Sequence, residues 1–251
     1  MSTTHASELL IIIDDLGNNR ELGQRTLALP GPLTVAVLPH TPYARPLAEQ
    51  AYALGHGVML HAPMENGSGV ALGPGALHTH MPALELQQSI IDSLHAVPFA
   101  TGVNNHMGSH FTRHEHAMNA VLEVVQQHGL FFVDSLTHAD SVAADLARQH
   151  GIPTLVRHVF LDHERSADAI EAQFQRALRH AKQHGYVVLI GHPYPETLDF
   201  LEHALPSLTP QGIALSRVDE YLQRQAWSPA WDMPNVESRY LLQDSPQTKH
   251  P

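Results

Sequence analysis

Five aliphatic residues in a row, Leu9-Leu10-Ile11-Ile12-Ile13, run without a break into two carboxylates, Asp14 and Asp15. An uninterrupted apolar run rich in β-branched residues predicts a strand covered on both faces, as in a parallel sheet. The pattern then shifts to helical spacing and back, repeatedly. Helices are predicted over Arg20 to Leu29, Pro42 to Leu54, Leu84 to about Ala96, Glu115 to His128, Ser141 to His150, Arg165 to His184, Glu196 to Leu208 and Val218 to about Gln225. Between them lie short apolar runs: Leu33 to Leu38, Val58 to Leu60, Ala100 to Val103, Leu130 to Val133, Thr154 to Leu161, Tyr186 to Ile190 and Ile213 to Leu215. Glycines after several helices (Gly55, Gly129, Gly151, Gly185) supply the stop signals.

Strands alternating with helices seven or eight times imply a parallel α/β sheet, closed as a barrel or open and doubly wound. A barrel is favoured, since no GxGxxG or GxxxxGK[ST] follows any strand. Residues 1–225 read as one domain. Beyond Trp227, Pro229, Pro234, Pro246 and Pro251 interrupt any element, so 226–251 reads as a tail that is partly ordered and then frays. The stretch from Ala62 to Pro82 carries Gly67, Gly69, Gly73, Pro74 and Gly75 with little periodicity, which predicts a long loop over the barrel mouth.

Composition narrows the function. Fourteen basic against 25 acidic residues leave a net charge of −11, which argues against nucleic acid or an anionic membrane surface as partner. Cysteine is absent, so any metal must be held by histidine and carboxylate. No apolar run is long enough to span a bilayer, and Met1 to His5 lead into the first strand without a signal-peptide pattern, so the chain as given reads as soluble. Histidine is abundant at 21, so each one is judged by position.

Polar groups gather at the carboxyl ends of the predicted strands: Asp14 and Asp15, His61, Asn105 and His106, Asp134, Asp162 and His163, and His192. In a βα barrel those ends converge on one face, where catalytic groups sit. Taken singly, each has a plain structural explanation: an aspartate in such a place often caps the next helix, and Asp162 and His163 read mostly that way. The joint placement of Asp14, Asp15, His61, His106 and His192 is harder to assign to packing. Aspartate with two histidines suits zinc or another first-row divalent ion. An ion also offsets the repulsion between adjacent carboxylates, leaving one to bind it and the other to accept a proton.

The segments IIIDDLGNN, GHGVMLHAPME, GVNNHMGSHFT, FFVDS and LIGHPYPETL, in this order, resemble the divergent polysaccharide deacetylase family, a branch of the NodB-type carbohydrate esterases. The resemblance covers about residues 8 to 224. It implies a distorted (β/α)7 barrel that removes acetyl groups from a polysaccharide or amino-sugar polymer with a divalent metal, Zn2+ being the expected ion, and a periplasmic location. By the same resemblance Asp14 matches the base, Asp15 and His61 match metal ligands, and His192 matches the general acid.

Two departures stand out. The family's second metal histidine, four residues after the first, is Glu65 here, and the usual Arg-and-Pro motif is replaced by Asn104-Asn105-His106-Met107-Gly108-Ser109. His106 is the preferred third ligand with Glu65 its rival, while Glu65, Asn105 and Asp134 are candidates for substrate binding or support. His110 is read as incidental, because Gly108 makes a helix joining it to His106 doubtful.

Three other readings stay open. A catalytically degraded carbohydrate-binding protein on the same scaffold would need no stoichiometric metal. A metallohydrolase acting on another ester or amide usually begins with Asp-x-His or His-x-His after its first strand, whereas here the first strand gives Asp-Asp-Leu and the His-x-His at His78-Thr79-His80 lies in the long loop. Glycoside hydrolysis by Asp14 with Glu65 or Asp134 would leave three strand-end histidines without a role.

Overall fold

The computed structural model describes residues 7–225; the predicted proline-rich tail lies outside them. Chain order is β1 (Ser7–Leu16), α1 (Arg20–Leu27), β2 (Thr34–Val37), α2 (Ala44–Ala53), β3 (Gly57–Met64), α3 (Ala83–Ala96), β4 (Gly102–Met107), α4 (Glu115–Gln127) and β5 (Phe131–Asp134). There follow α5 (Ala143–Gln149), β6 (Thr154–Val156), β7 (Val159–Phe160), α6 (Ala167–His184), β8 (Tyr186–Gly191), α7 (Pro195–Ala204), β9 (Ile213–Leu215) and α8 (Val218–Gln225). The strands pair in the order β6-β5-β4-β3-β2-β1-β8-β7, and β9 adds to the start of β1. Every pairing is parallel.

What the sequence predicts as one strand from Thr154 to Leu161 is two. Its first half pairs with β5 and its second with β8, and the polar pair Arg157-His158 stands at the join. Arg157 N–H donates to Asp134 O at 3.0 Å, and His158 N–H donates to Val188 O at 2.9 Å. The broken segment thus curls the sheet into a ring of seven positions. This is the distorted α/β barrel that the resemblance implies.

Alternation with period two decides what fills the ring. Leu10 and Ile12 of β1, Met59 of β3, Phe131 and Val133 of β5, and Val188 and Ile190 of β8 form one interior cluster. Val218, Tyr221 and Leu222 of α8 belong to it, and Tyr221 stacks on Tyr186 at the start of β8, so α8 plugs the amino-terminal end. The next inward positions up each strand are polar: Asp14, His61, Asn104 and His106, Ser135, and His192. Residues of opposite parity, such as Leu9, Ile11 and Ile13, pack against the helices in a larger outer cluster.

Predicted bounds move at several elements: β4, for one, runs to Met107 and not to Val103. The helix over Glu196 to Leu208 ends at Ala204 and gives way to single 3-10 turns at Leu205–Ser207 and Thr209–Gln211. Pro206 and Pro210 have no N–H to continue an α-helix. The long loop begins later than predicted, because β3 runs to Met64. The loop then folds back: Leu77 is fully buried, its N–H donates to Pro63 O at 2.8 Å, and Glu65 N–H donates to Leu77 O at 2.9 Å. Among the described residues no helix is long and apolar enough to cross a membrane.

Candidate metal centre

Neither aspartate near the end of β1 caps the following helix. That role belongs to Asn19, whose Oδ1 accepts from Leu22 N–H at 3.0 Å. The aspartates are presented instead by a bulge. Ile13 pairs with Val35 but Leu16 with Val37, so β1 spends three residues where β2 spends two. Asp15 takes up the difference with φ of 60°. Regular alternation would send consecutive side chains to opposite faces; here both carboxylates line the same cleft.

Three atoms from three strands meet at that cleft. Asp15 Oδ1 lies 3.1 Å from His61 Nε2 and 2.9 Å from His106 Nδ1, and the two ring nitrogens are 3.2 Å apart. Four ligands at roughly 2.1 Å around a tetrahedral ion stand about 3.4 Å from one another, so the spacing fits a divalent ion after a slight expansion. Tautomer chemistry points the same way. Asn104 Oδ1 can only accept, so His61 Nδ1 donates to it at 2.7 Å and Nε2 is left with a lone pair facing the other two atoms. Asp15 Oδ1 is buried and has no hydrogen bond of acceptable geometry despite its close neighbours. A cation answers both features, and Asp15, His61 and His106 form a group able to hold one.

Asp14 sits beside this trio, 3% exposed, with Oδ2 3.7 Å from His61 Nε2 and Oδ1 accepting from Asn104 Nδ2 at 2.8 Å. Burial pushes its carboxyl up; Asp15 adds to that, while His61, His192 and the Asn104 bond pull it down. Burial also opposes the charge on Asp15, but His106 and His61 outweigh it and hold that carboxyl well below the usual range. Burial opposes a charge on His61 too, yet Asp14 and Asp15 push it up to about 9, and a bound cation would displace that proton. Two adjacent carboxyls are therefore driven in opposite directions. That separation suits different roles.

His192 follows β8. Its Nε2 lies 3.9 Å from Asp15 Oδ2, and its Nδ1 donates to Asp162 Oδ1 at 2.9 Å. Asp162 also accepts from His192 N–H at 2.6 Å and from Thr197 Oγ1 at 2.8 Å. It caps no helix: Ser166 caps α6. Burial works against a charged His192, but Asp162 first and then Asp14 and Asp15 raise it above its ordinary value.

The other candidates are placed as follows. Glu65 is turned away, accepting from Thr79 N–H and Oγ1 at 2.8 Å each, and lies outside the ligand group. Asn105 lines the cleft while its Oδ1 accepts from Ser135 N–H at 2.9 Å. Asp134 holds the turn after β5 by accepting from Leu136 N–H at 2.8 Å and Ser141 Oγ at 2.7 Å. His110 packs against His114 with the rings tilted by 55°, and it is not in the ligand group. Sequence reasoning read Asp162 as a helix cap and passed over Asn104, both of which brace the centre, and it missed Arg157, which lines the cleft. The cleft holds about 500 Å³. A second cavity of about 220 Å³ shares Asp15 and His106 with it and is walled by Leu72, Gly73 and Pro74, so the long loop lies on this face.

A model of the family described as "Divergent polysaccharide deacetylase" matches residues 11–222. A protein of Haemophilus influenzae is 36% identical over 209 residues, covering 83% of this chain and 74% of its own. The Escherichia coli protein YibQ is 36% identical over 205 residues, and the match spans 82% of this chain but 64% of YibQ. Among solved structures, protein ATU2773 from Agrobacterium tumefaciens superposes with a TM-score of 0.84 at 22% identity, covering 88% of this chain and 91% of that one. BA3943 of Bacillus anthracis, described as a CE4 family pseudoenzyme, gives 0.55 at 15% identity, covering 86% and 66%. At such identities the structural likeness is one of fold.

Proposed function

The chain belongs to the divergent polysaccharide deacetylase family, and from that premise we propose that it is a metal-dependent hydrolase removing acetyl groups from a polysaccharide or amino-sugar polymer of the cell envelope. The observation that carries the reading is the buried, unsatisfied Asp15 Oδ1 set against two histidine nitrogens, with a second carboxyl and a braced histidine beside it. Asp15, His61 and His106 would hold the ion, and zinc suits that donor set. A divalent ion there supplies Lewis acidity toward water and the acetyl carbonyl.

The chain's own groups do the rest. Asp14, raised by burial, accepts the proton of the attacking water as its oxygen bonds to the carbonyl carbon. Asn104 holds Asp14 and His61 at once through one side-chain amide, fixing base and ligand relative to each other. His192, oriented and kept protonated by Asp162, donates its proton to the departing amine or alcohol as the C–N or C–O bond breaks. Acetate and the deacetylated sugar result. Family membership supports a periplasmic or secreted setting, which we include in the proposal.

The competing reading is a binding protein on the same scaffold, and the Bacillus anthracis pseudoenzyme keeps it in view. Acetate release from acetylated chitooligosaccharides and peptidoglycan fragments separates the two. With proton transfer limiting, Asp14→Asn and His192→Ala should each lower the rate on the order of 10²-fold or more, and chelation should abolish it. Activity that survives chelation and both substitutions would overturn the mechanism. A stoichiometric metal with no release from any acetylated glycan would favour the binding protein.

A further inference from the structure

Arg157 stands at the join between β6 and β7 and lines the same cleft as Asp14 and His192. Its position is fixed from three sides. Nε donates to Ser135 O at 2.6 Å, Nη2 donates to Leu136 O at 2.8 Å, and the guanidinium lies 5.1 Å from the centroid of the Phe160 ring. Two of its five N–H groups are thereby used and three remain. Among the described residues it forms no ion pair, although acidic residues outnumber basic ones by 25 to 14. Burial weighs on its charge, and Asp134 and Asp14 offset that only from a distance. Beside Tyr194, which lines the cleft, a second guanidinium, that of Arg165, stands 3.5 Å from the ring centroid and forms no ion pair among the described residues.

A half-buried cation costs free energy unless an anion or its equivalent faces it. Bracing the turn at Ser135 and Leu136 explains two of its donors but not why a charged group is used, since a carbonyl needs only a neutral donor. A planar fork held rigid with free N–H groups toward a cleft is suited to bidentate capture of an oxyanion. A singly charged carboxylate matches the guanidinium in charge and in its planar two-oxygen geometry, whereas a dianionic phosphate monoester carries one charge more than Arg157 balances.

We infer that Arg157 selects a glycan bearing a carboxylate substituent on or next to the acetylated sugar. The inference deepens the deacetylase reading and rests on it for the identity of the reacting group. The carboxylate is read by the guanidinium, and Phe160 and Tyr194 line the same cleft beside it.

The test uses the full chain and three tetrasaccharide probes: alternating N-acetylglucosamine and N-acetylmuramic acid with free lactyl carboxylates, the same oligomer with those carboxylates converted to amides, and the uncharged N-acetylglucosamine tetramer. A 6-phosphorylated N-acetylglucosamine tetramer distinguishes carboxylate from phosphate. Affinity is measured by calorimetry, independently of turnover, and acetate release is followed in parallel. The carboxylate probe should bind about 10-fold more tightly than its amide, the size expected of a charge-assisted pair. Arg157→Gln should erase that ratio, and Arg157→Lys should restore part of it as a point charge. A purely structural arginine would change stability and all probes alike. Equal affinity for carboxylate and amide, binding of neither, a preference for phosphate, or a ratio that persists in Arg157→Gln would each overturn the inference. Should the Gln variant fail to fold, the carboxylate-to-amide ratio of the unaltered chain and its loss at high salt decide the matter. Selective binding without acetate release would sink the deacetylase reading and leave this one standing; equal hydrolysis of charged and amidated probes would do the reverse.

Discussion

Asp15 holds a left-handed backbone conformation at a position that is not glycine, a strain of about 1–2 kcal/mol that only a specific need would retain. The need is visible in what it does: it brings two consecutive carboxyls into one cleft and separates their protonation. A similar division is visible at His192, where one nitrogen faces the centre and the other is tied to Asp162. A general acid must carry its proton, so its contribution is lost as pH rises through its pKa. Asp162 raises that pKa. With Asp162→Asn the alkaline limb of kcat/KM should therefore move to lower pH, and the rate at pH 8 should fall by about 10-fold or more. A pH–rate profile whose alkaline limb does not move would detach Asp162 from the acid. The aspartates and three histidines were legible in the sequence because each ends an apolar run. Asp162 also ends an apolar run but was read as a cap, since its partner is 30 residues away and becomes a neighbour only through the pairing of β7 with β8. Asn104 was hidden by a boundary: with the strand read as ending at Val103, nothing put Asn104 on the same face as His106.

Element by element, the alternation of apolar runs and helical spacing read out the βα order nearly whole. What it could not supply was side-chain direction at the ring's narrow places. Gly102, at the start of β4, shows why. A Cβ built there would meet the Phe131 ring at 2.2 to 2.4 Å, and Phe131 is 2% exposed, so the ring has nowhere to go. The Phe131 ring fills the interior space beside β4 because this one residue has no side chain, so β4 keeps its register with β5 and carries Asn104 and His106, two and four residues on, to the centre. Gly102→Ala should cost about 1–3 kcal/mol, as overpacking does, and lower Tm by several degrees for a domain of this size. It should also weaken metal binding through His106. Thermal unfolding with and without added zinc reads both; an alanine variant as stable as the parent would mean that the ring and β4 are looser than this packing implies. Sequence reasoning also could not foresee the break at Arg157-His158, because an eight-residue run with two polar members reads as one strand until its two halves choose different neighbours.

For the whole molecule, closure of the ring depends on that break, and His158 is bonded into it in one protonation state. Its Nδ1 accepts from Val188 N–H at 3.0 Å, so it needs a free lone pair there. Burial, together with His180 and His184, pushes it down to about 4; the His180 ring lies 4.5 Å away and the Tyr186 ring 5.2 Å away, the latter edge-on. A histidine whose folded pKa lies below its unfolded value binds fewer protons when folded. Its contribution is then complete above about pH 6.5 and is lost as pH falls toward 4. The full shift would amount to roughly 3 kcal/mol at most, and partial exposure reduces it to on the order of 1–2 kcal/mol. Asparagine offers an acceptor in nearly the same place but cannot be protonated. His158→Asn should therefore make stability less dependent on pH between 6.5 and 4, leaving the carboxylates and the other histidines to act equally in both proteins. Urea midpoints measured at pH 7 and pH 4.5 provide the comparison. Wild type should lose more stability than the variant on acidification; parallel losses would show that the ring's closure does not depend on the neutral state of His158.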